Sequence, residues 1–260
     1  MKISYLYNRF GHAVARCMYR KAETVYETPP VDEPAVFICN HSGITGPVLM
    51  TLDFKRKHMT WMVACAMDKE KVANFAYHDI LFGEARKRKG FWRLLSKLFR
   101  ILLPPLLKHE PVIPVYHDNN IVKTFKQSVR ELSDGNDLVI FAESPERYTP
   151  YINHLQTGFV DLAKLYYRRS GKRISFYPVY IEKKNAVISV GTPIAYDPDI
   201  PMDKQRENIT SYLCDEIDRL ARKLPEHTPR PFLPQMWYDA YGECFEFDTA
   251  GYWQMIDENR

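Results

Sequence analysis

Asn40 and His41 are the residues of this 260-residue chain whose types and placement best suit chemistry. They follow the apolar run 35–39, which is typical of a buried strand, and precede a turn of small residues at 42–43. A histidine that a strand holds and a turn exposes can act as a general base, because histidine ordinarily titrates close to neutral pH. Pro47 suits the first turn of a helix, whose positive end would lie near His41. The pattern predicts a proton-abstracting His41; the alternative is a turn histidine that hydrogen-bonds only to the backbone.

A second polar position follows the apolar run 138–141, where Glu143 is the first charged residue. In open sheets of parallel strands, ligands bind at the carboxyl ends of the strands. We therefore expect Glu143 and His41 to lie along the same edge of a sheet. The alternative for Glu143 is a structural carboxylate that accepts hydrogen bonds from backbone amides.

Strands and helices alternate along most of the chain. Strands are predicted at 35–39, 59–66, 112–116, 138–141, 174–181 and 186–190, and helices at 3–24, 47–57, 68–77, 84–103, 120–133, 156–170 and 203–223. This alternation predicts an α/β fold with a mixed, largely parallel sheet that is flanked by helices. Three segments are expected: an N-terminal amphipathic helix in residues 1–30, an α/β domain in 31–225 and an acidic, aromatic tail in 226–260.

Six segments of the chain carry a family resemblance: Ala35–His41, Val112–His117, Val139–Arg147, Gln156–Ala163, Phe176–Ile181 and Val190–Ile194. Their order and composition resemble the motifs of the lysophosphatidate and glycerol-3-phosphate acyltransferases, a glycerolipid acyltransferase family. In the first segment, Asn-His resembles the start of the family's Asn-His-x4-Asp motif. The resemblance covers roughly residues 25–223. It implies the glycerol-phosphate acyltransferase fold and an acyltransferase-like domain in 31–225.

The family transfers an acyl chain from a thioester, either acyl-CoA or an acyl carrier protein, to a hydroxyl acceptor such as a lysophospholipid. The resemblance implies that His41 removes the proton of the acceptor hydroxyl and that Asn40 belongs to the same catalytic motif. The substrate-binding residues that it implies are His117, Glu143, Ser144 and Arg147. An arginine at such a position can hold an acceptor phosphate through two hydrogen bonds. No metal or bound cofactor is implied, since the acyl thioester is a co-substrate.

Three positions depart from the family pattern. Gly46 stands where the family has the Asp that orients the histidine ring, and loss of such a carboxylate costs about 10⁴ in turnover in a serine protease. His117 replaces an Arg, and the Arg of the third motif is displaced by one position to Arg147. The acids available to replace the missing Asp are Asp53, Asp79, Glu84 and Glu143.

These departures leave three functions open. The first is an acyltransferase for a lysophospholipid-like hydroxyl acceptor. The second is a non-catalytic protein of the same fold that binds a lipid or an acyl carrier. The third is an acyltransferase for a non-phosphorylated acceptor, which would explain the weakened Arg positions. An acid within hydrogen-bond distance of the His41 ring favours an enzyme, and the absence of one favours a binding protein.

Residues 84–108 form a strongly basic segment, with eight Lys or Arg and one acid. Its cations adjoin aromatic and aliphatic residues of one predicted helix, which suits the surface of an anionic membrane. The predicted membrane-facing residues are Arg86, Lys87, Arg88, Lys89, Phe91 and Trp92. The alternative is a core-facing helix with a solvated charged flank. No nucleic-acid-binding motif accompanies these cations, so nucleic acid is not an expected partner.

The cysteines and the N-terminal residues predict the compartment. The five Cys lack the C-x2-C spacing of a zinc ribbon, which favours a reducing compartment and no metal site. Cations interrupt the first twenty residues, unlike a signal peptide, and the sequence has no run of about 18 apolar residues. We expect a cytoplasmic protein, peripheral on the inner face of the membrane, whose partners are the membrane surface, an acyl thioester and a lipid acceptor.

Overall fold

The computed structural model describes residues 2–81, 83 and 86–229, with side chains from residue 9 onward. The acidic tail predicted at 226–260 therefore lies almost entirely outside the described residues, as does Glu84. The division into three segments stays a prediction.

Within the described residues the chain forms ten strands and eight α-helices. The strands are β1 Glu23–Tyr26, β2 Val36–Cys39, β3 His58–Val63, β4 Val112–Val115, β5 Asp137–Ile140, β6 Glu143–Arg147, β7 Asn153–Leu155, β8 Ser175–Glu182, β9 Val187–Val190 and β10 Ile194–Ala195. The helices are α1 Lys2–Met18, α2 Thr45–Asp53, α3 Val72–Phe75, α4 Lys89–Ser96, α5 Phe99–Leu107, α6 Ile121–Ser133, α7 Asp161–Ser170 and α8 Met202–Lys223. The described residues also include the 3-10 turns Ala64–Ala66 and Gly158–Val160 and the π-helix Ala76–Ile80.

One eight-stranded sheet has the strand order β1-β9-β8-β2-β5-β3-β4, with β10 also paired to β8. The strands β8, β2, β5, β3 and β4 are parallel, so their carboxyl ends share one edge of the sheet. Strand β9 is antiparallel to β8, and β1 is parallel to β9. Strands β6 and β7 form a separate antiparallel pair. The predicted α/β fold with a mixed, largely parallel sheet is confirmed.

Helices cover both faces of this sheet. Along β2, Val36 and Ile38 point into a core that α6, α7 and α8 complete. Phe37 and Cys39 point to the opposite face, where α2 and the residues after α1 cover them. A strand that is apolar on both faces reads as a continuous hydrophobic run, which is why residues 35–39 are predicted as a buried strand.

Several predicted helices differ in extent from the observed ones: the helix predicted at 47–57 ends at Asp53, the one at 68–77 is the short α3 followed by a π-helix, and the one at 156–170 begins its α-helix at Asp161. The helix predicted at 3–24 ends at Met18, because residues 23–26 pair with β9 and extend the sheet instead. Valine, threonine and tyrosine in this stretch favour a strand. The helix predicted within 84–103 begins only at Lys89, because Arg88 adopts a left-handed conformation with φ 61°. It is also divided into α4 and α5, and α5 continues to Leu107.

Helix α1 packs closely on α5. A side chain at Gly11 would overlap Leu106, and the His12 ring lies 2.6 Å from a carboxylate oxygen of Glu110. Arg16 of α1 pairs with Asp53 at the end of α2. Among the helices in the described part of the chain, none is both long and apolar enough to cross a membrane.

Candidate functional site

The pairing of β2 with β5 brings His41 and Glu143 together. These strands are parallel neighbours, with Ile38 opposite Ile140. Residues that follow the two strands therefore lie side by side at the carboxyl edge of the sheet, where neighbouring strands are about 4.8 Å apart. The structure agrees with the prediction that His41 and Glu143 lie along the same edge of the sheet.

The carboxylate of Glu143 is held against His41. Its Oε1 lies 3.3 Å from Nδ1 of the imidazole and 2.5 Å from the His41 backbone nitrogen, which donates to it. Its Oε2 accepts the backbone N–H of Asn153 at 3.0 Å. The Glu143 side chain is 1% exposed, whereas the His41 side chain is 19% exposed. A buried acid thus lies beside a histidine ring that solvent can still reach.

This geometry suits a general base. When Nδ1 carries its proton toward Glu143, the other ring nitrogen, Nε2, keeps a lone pair that can accept a proton. The Phe141 ring lies 5.1 Å from the imidazole, centre to centre, and covers part of it. Cys39 lies two residues before His41, but burial raises the pKa of its thiol, with a smaller contribution from Glu143. A buried thiol of this kind is a poor nucleophile, which leaves His41 as the candidate reactive group of the segment.

Asn40 fixes the end of β2. Its side-chain oxygen accepts the Ile181 backbone N–H at 2.7 Å, and its side-chain nitrogen donates to the Ile181 carbonyl at 3.3 Å. The Asn40 side chain therefore continues the hydrogen bonding between β2 and β8. Because both ends of the amide are engaged with β8, Asn40 acts as a positioning residue for His41. Ser42 and Gly43 then turn the chain with φ 48° and 63°.

Gly46 packs too tightly to carry an aspartate. A Cβ atom at this residue would lie 2.5 Å from the Asn40 carbonyl oxygen, 2.7 Å from the His41 carbonyl oxygen and 2.8 Å from Phe141. The Gly46 backbone N–H also donates to the His41 carbonyl at 2.8 Å. The first turn of α2 is thus drawn against the histidine segment, and the acid beside the ring is Glu143, which follows the neighbouring strand β5.

Two of the other acids considered from the sequence, Asp53 and Asp79, lie in other elements of the structure. Asp53 pairs with Arg16 at 2.9 Å and accepts the Ala22 backbone N–H at 2.9 Å. Asp79 lies in the π-helix 76–80 with one carboxyl oxygen shielded from solvent, and burial raises its pKa to about 8. Glu143 is the acid that the described residues place beside the His41 ring.

The residues predicted to bind the acceptor are spread out. Ser144 directly follows Glu143, and its carbonyl accepts a hydrogen bond from the Asn153 side chain at 2.7 Å. Arg147 is exposed, four residues beyond Glu143 on β6, which corresponds to about 13 Å along a strand. His117 is also exposed and follows β4, three strands from β2, or about 14 Å across the sheet. Acceptor binding by these residues stays a prediction.

Asn153 belongs to the site and was not predicted. It is 1% exposed, donates its backbone N–H to Glu143, and donates its side chain to the carbonyls of Ser144 and Pro145. These bonds fix the strand that carries Glu143. The sequence gives little sign of this role, because it depends on the pairing of β6 with β7.

The predicted membrane-facing residues surround the start of α4. The Arg86 guanidinium lies 4.4 Å from the Trp92 ring centre and donates to the Leu81 carbonyl at 2.6 Å. Lys87, Arg88 and Lys89 are exposed. A row of exposed apolar residues continues along α4 and α5: Phe91, Leu94, Leu98, Ile101 and Leu102. Contact of this surface with a membrane stays a prediction.

No cluster of three or more His, Cys, Asp or Glu side chains with the arrangement of a metal site occurs among residues 9–81, 83 and 86–229. No protein-family model matches the sequence, and no curated protein matches it. Among solved structures, the chain is similar to the crystal structure of the 1-acyl-sn-glycerophosphate (LPA) acyltransferase PlsC from Thermotoga maritima. The two are 12% identical with a TM-score of 0.48, over 86% of this chain and 82% of that chain.

Proposed function

We propose that this protein is a peripheral-membrane acyltransferase that moves an acyl chain from a thioester to the hydroxyl of a lysophospholipid-like acceptor. His41 is the general base, Glu143 orients its ring, and Asn40 positions its backbone. The observation that supports catalysis most directly is the distance of 3.3 Å between Glu143 Oε1 and His41 Nδ1. Acyl transfer in particular is supported by the six ordered segments that resemble the glycerolipid acyltransferases.

The reaction follows from the chemistry of a histidine–carboxylate pair. Nε2 of His41 accepts the proton of the acceptor hydroxyl as its oxygen attacks the thioester carbonyl. The tetrahedral intermediate then collapses, the carbon–sulfur bond breaks, and the imidazolium returns the proton to the departing thiolate. An ester and a thiol are the products. A carboxylate at Nδ1 stabilises the imidazolium that forms between these steps.

A non-catalytic binding protein fits this geometry less well. A protein that only binds a lipid or an acyl carrier has no need of an acid aligned with a partly exposed imidazole. Here Glu143 is almost fully buried and the histidine ring is not. Burial of a carboxylate is costly unless hydrogen bonds compensate for it, and two backbone amides supply them.

The exposed apolar row of α4 and α5 and the cations before it support a membrane-borne acceptor. Each basic residue near an anionic bilayer contributes about 1 kcal/mol to binding. Soluble proteins seldom expose such a row, and exposed apolar patches often mark interaction surfaces. We accordingly place the protein on the cytoplasmic face of a membrane, with acyl-CoA or an acyl carrier protein as donor and no bound cofactor.

A radiolabelled acyl-CoA assay against an acceptor panel tests this function. The panel contains lysophosphatidate, glycerol 3-phosphate, lysophosphatidylcholine and a monoacylglycerol, the last to detect transfer to a non-phosphorylated acceptor. Transfer by the native chain is expected to fall at least about 10²-fold in His41→Ala, because the general base is lost. The control is His109→Ala, an exposed histidine. Equal product from native chain and His41→Ala would overturn the catalytic assignment.

A further inference from the structure

A group of three cations lies at the end of α1, apart from the His41 site. Arg20 follows α1, and Lys183 and Lys184 follow β8. Strands β1 and β9 run opposite to β8, so the start of β1 lies beside the carboxyl end of β8 and brings Arg20 to the two lysines. A cavity of about 410 Å³ is lined by Met18, Arg20, Glu182, Lys183, Lys184 and Thr228.

Within residues 9–81, 83 and 86–229, none of the three cations forms an ion pair with a carboxylate. The Lys183 ammonium lies 4.2 Å from the Tyr19 ring centre, and the Lys184 ammonium donates to the Glu226 carbonyl at 3.3 Å. Among the residues that line the cavity, three cations face the single carboxylate of Glu182, so the net charge of the lining is positive.

Glu182, the acid among the lining residues, is already engaged by the backbone. Its two carboxylate oxygens accept the N–H groups of Lys184 at 2.8 Å and Asn185 at 2.5 Å. Glu182 is buried, with 7% of its surface exposed to solvent. Both hydrogen bonds lie in the turn between β8 and β9, so Glu182 stabilises the turn that carries the two lysines.

The cavity adjoins an apolar stripe on α1. Phe10, Val14 and Met18 are 69%, 44% and 61% exposed, and their spacing of four places them on one face of the helix. Met18 ends this stripe and also lines the cavity. If the stripe rests in the apolar layer of a bilayer, the cavity lies at the level of the headgroups.

We propose that Arg20, Lys183 and Lys184 bind a phosphate group at the end of α1. A guanidinium matches phosphate oxygens through paired hydrogen bonds, and two ammonium groups balance a dianion. The phosphate comes either from an anionic phospholipid headgroup or from a soluble phosphate monoester. The proposal goes beyond acyl transfer and does not depend on it, because its readout is binding.

The test compares Arg20→Gln/Lys183→Gln with the native full-length chain. One arm measures binding of glycerol 3-phosphate by calorimetry, and the other measures co-sedimentation with phosphatidylcholine vesicles with and without phosphatidate. The charge-matched control is Arg168→Gln/Lys204→Gln, which removes two exposed cations from α7 and α8. Thermal unfolding checks that both variants fold.

The double variant is expected to lose about tenfold or more in affinity in at least one arm, while the control stays near the native value. Loss with glycerol 3-phosphate indicates a soluble phosphate, and loss only with phosphatidate vesicles indicates a headgroup. If the native chain binds neither probe, or if the control loses as much affinity as the double variant, the proposed site is wrong.

Discussion

Glu143 Oε1 lies 3.3 Å from Nδ1 of His41 and 2.5 Å from the backbone nitrogen of the same residue. One carboxylate thus fixes both the ring and the main chain of the histidine. The family pattern places the orienting acid five residues after the histidine, on the helix that follows. In this chain that helix is too close to carry an aspartate, and the acid beside the ring is Glu143, which follows the adjacent strand β5.

The close packing at Gly46 predicts that any side chain there is destabilising. Gly46→Ala is expected to lower the free energy of unfolding by about 1–3 kcal/mol, because its Cβ would overlap two carbonyl oxygens. Gly90 is also the second residue of a helix, but a Cβ added there would meet no atom within 4 Å, so Gly90→Ala is the matched control. It should be neutral or stabilising by up to about 1 kcal/mol. Urea unfolding of both variants measures the difference.

The same packing bears on the missing family aspartate. Gly46→Asp is expected to reduce both stability and acyl transfer, because the larger side chain forces α2 away from His41. Higher transfer by Gly46→Asp than by the native chain would show that Glu143 does not serve as the orienting acid.

The buried carboxyl of Asp79 predicts a pH-dependent stability. Burial raises its pKa from 3.8 to about 8, so between these values the folded chain holds a proton that the unfolded chain has released. Its contribution to the free energy of unfolding is therefore complete below about pH 4, decreases as the pH rises and is lost above about pH 8. Asp79→Asn should flatten this decrease and leave acyl transfer nearly unchanged. Unfolding curves of the native chain and of Asp79→Asn, recorded from pH 5 to 9, measure how the free energy of unfolding changes with pH. An equal slope in the two proteins would contradict the prediction.

The sheet and the position of His41 could be predicted because they depend on local patterns. The run 35–39 is apolar on both faces, as a central strand must be, and the turn after it is made of small residues. Strand β1 was missed because its residues follow an amphipathic helix without a break, and only pairing with β9 decides their conformation. The sequence alone could not show which of the four candidate acids lies beside the His41 ring. Glu143 lies there because β2 and β5 are neighbours in the sheet, and no local sequence pattern encodes that pairing.

The exposed row on α4 and α5 predicts binding to anionic vesicles. Leu94 and Ile101 are 65% and 67% exposed. Leu94→Glu/Ile101→Glu should weaken vesicle binding at least about tenfold, since each buried aliphatic side chain contributes about 1.5–3 kcal/mol. Val122→Glu/Leu165→Glu, which adds the same charge at exposed aliphatic residues of α6 and α7, is the control. Equal binding by both variants would exclude this surface from membrane contact.

The role of Glu143 is tested by the turnover of Glu143→Gln at saturating donor and acceptor. The control is Asp137→Asn, which alters another buried carboxylate that accepts a backbone N–H and pairs with Arg56. Both variants are expected to lose stability, so rates are compared below the unfolding range of each. Glu143→Gln should lower kcat by about 10²–10⁴-fold with KM nearly unchanged, while the control keeps its kcat. A kcat for Glu143→Gln equal to that of the native chain would contradict the account.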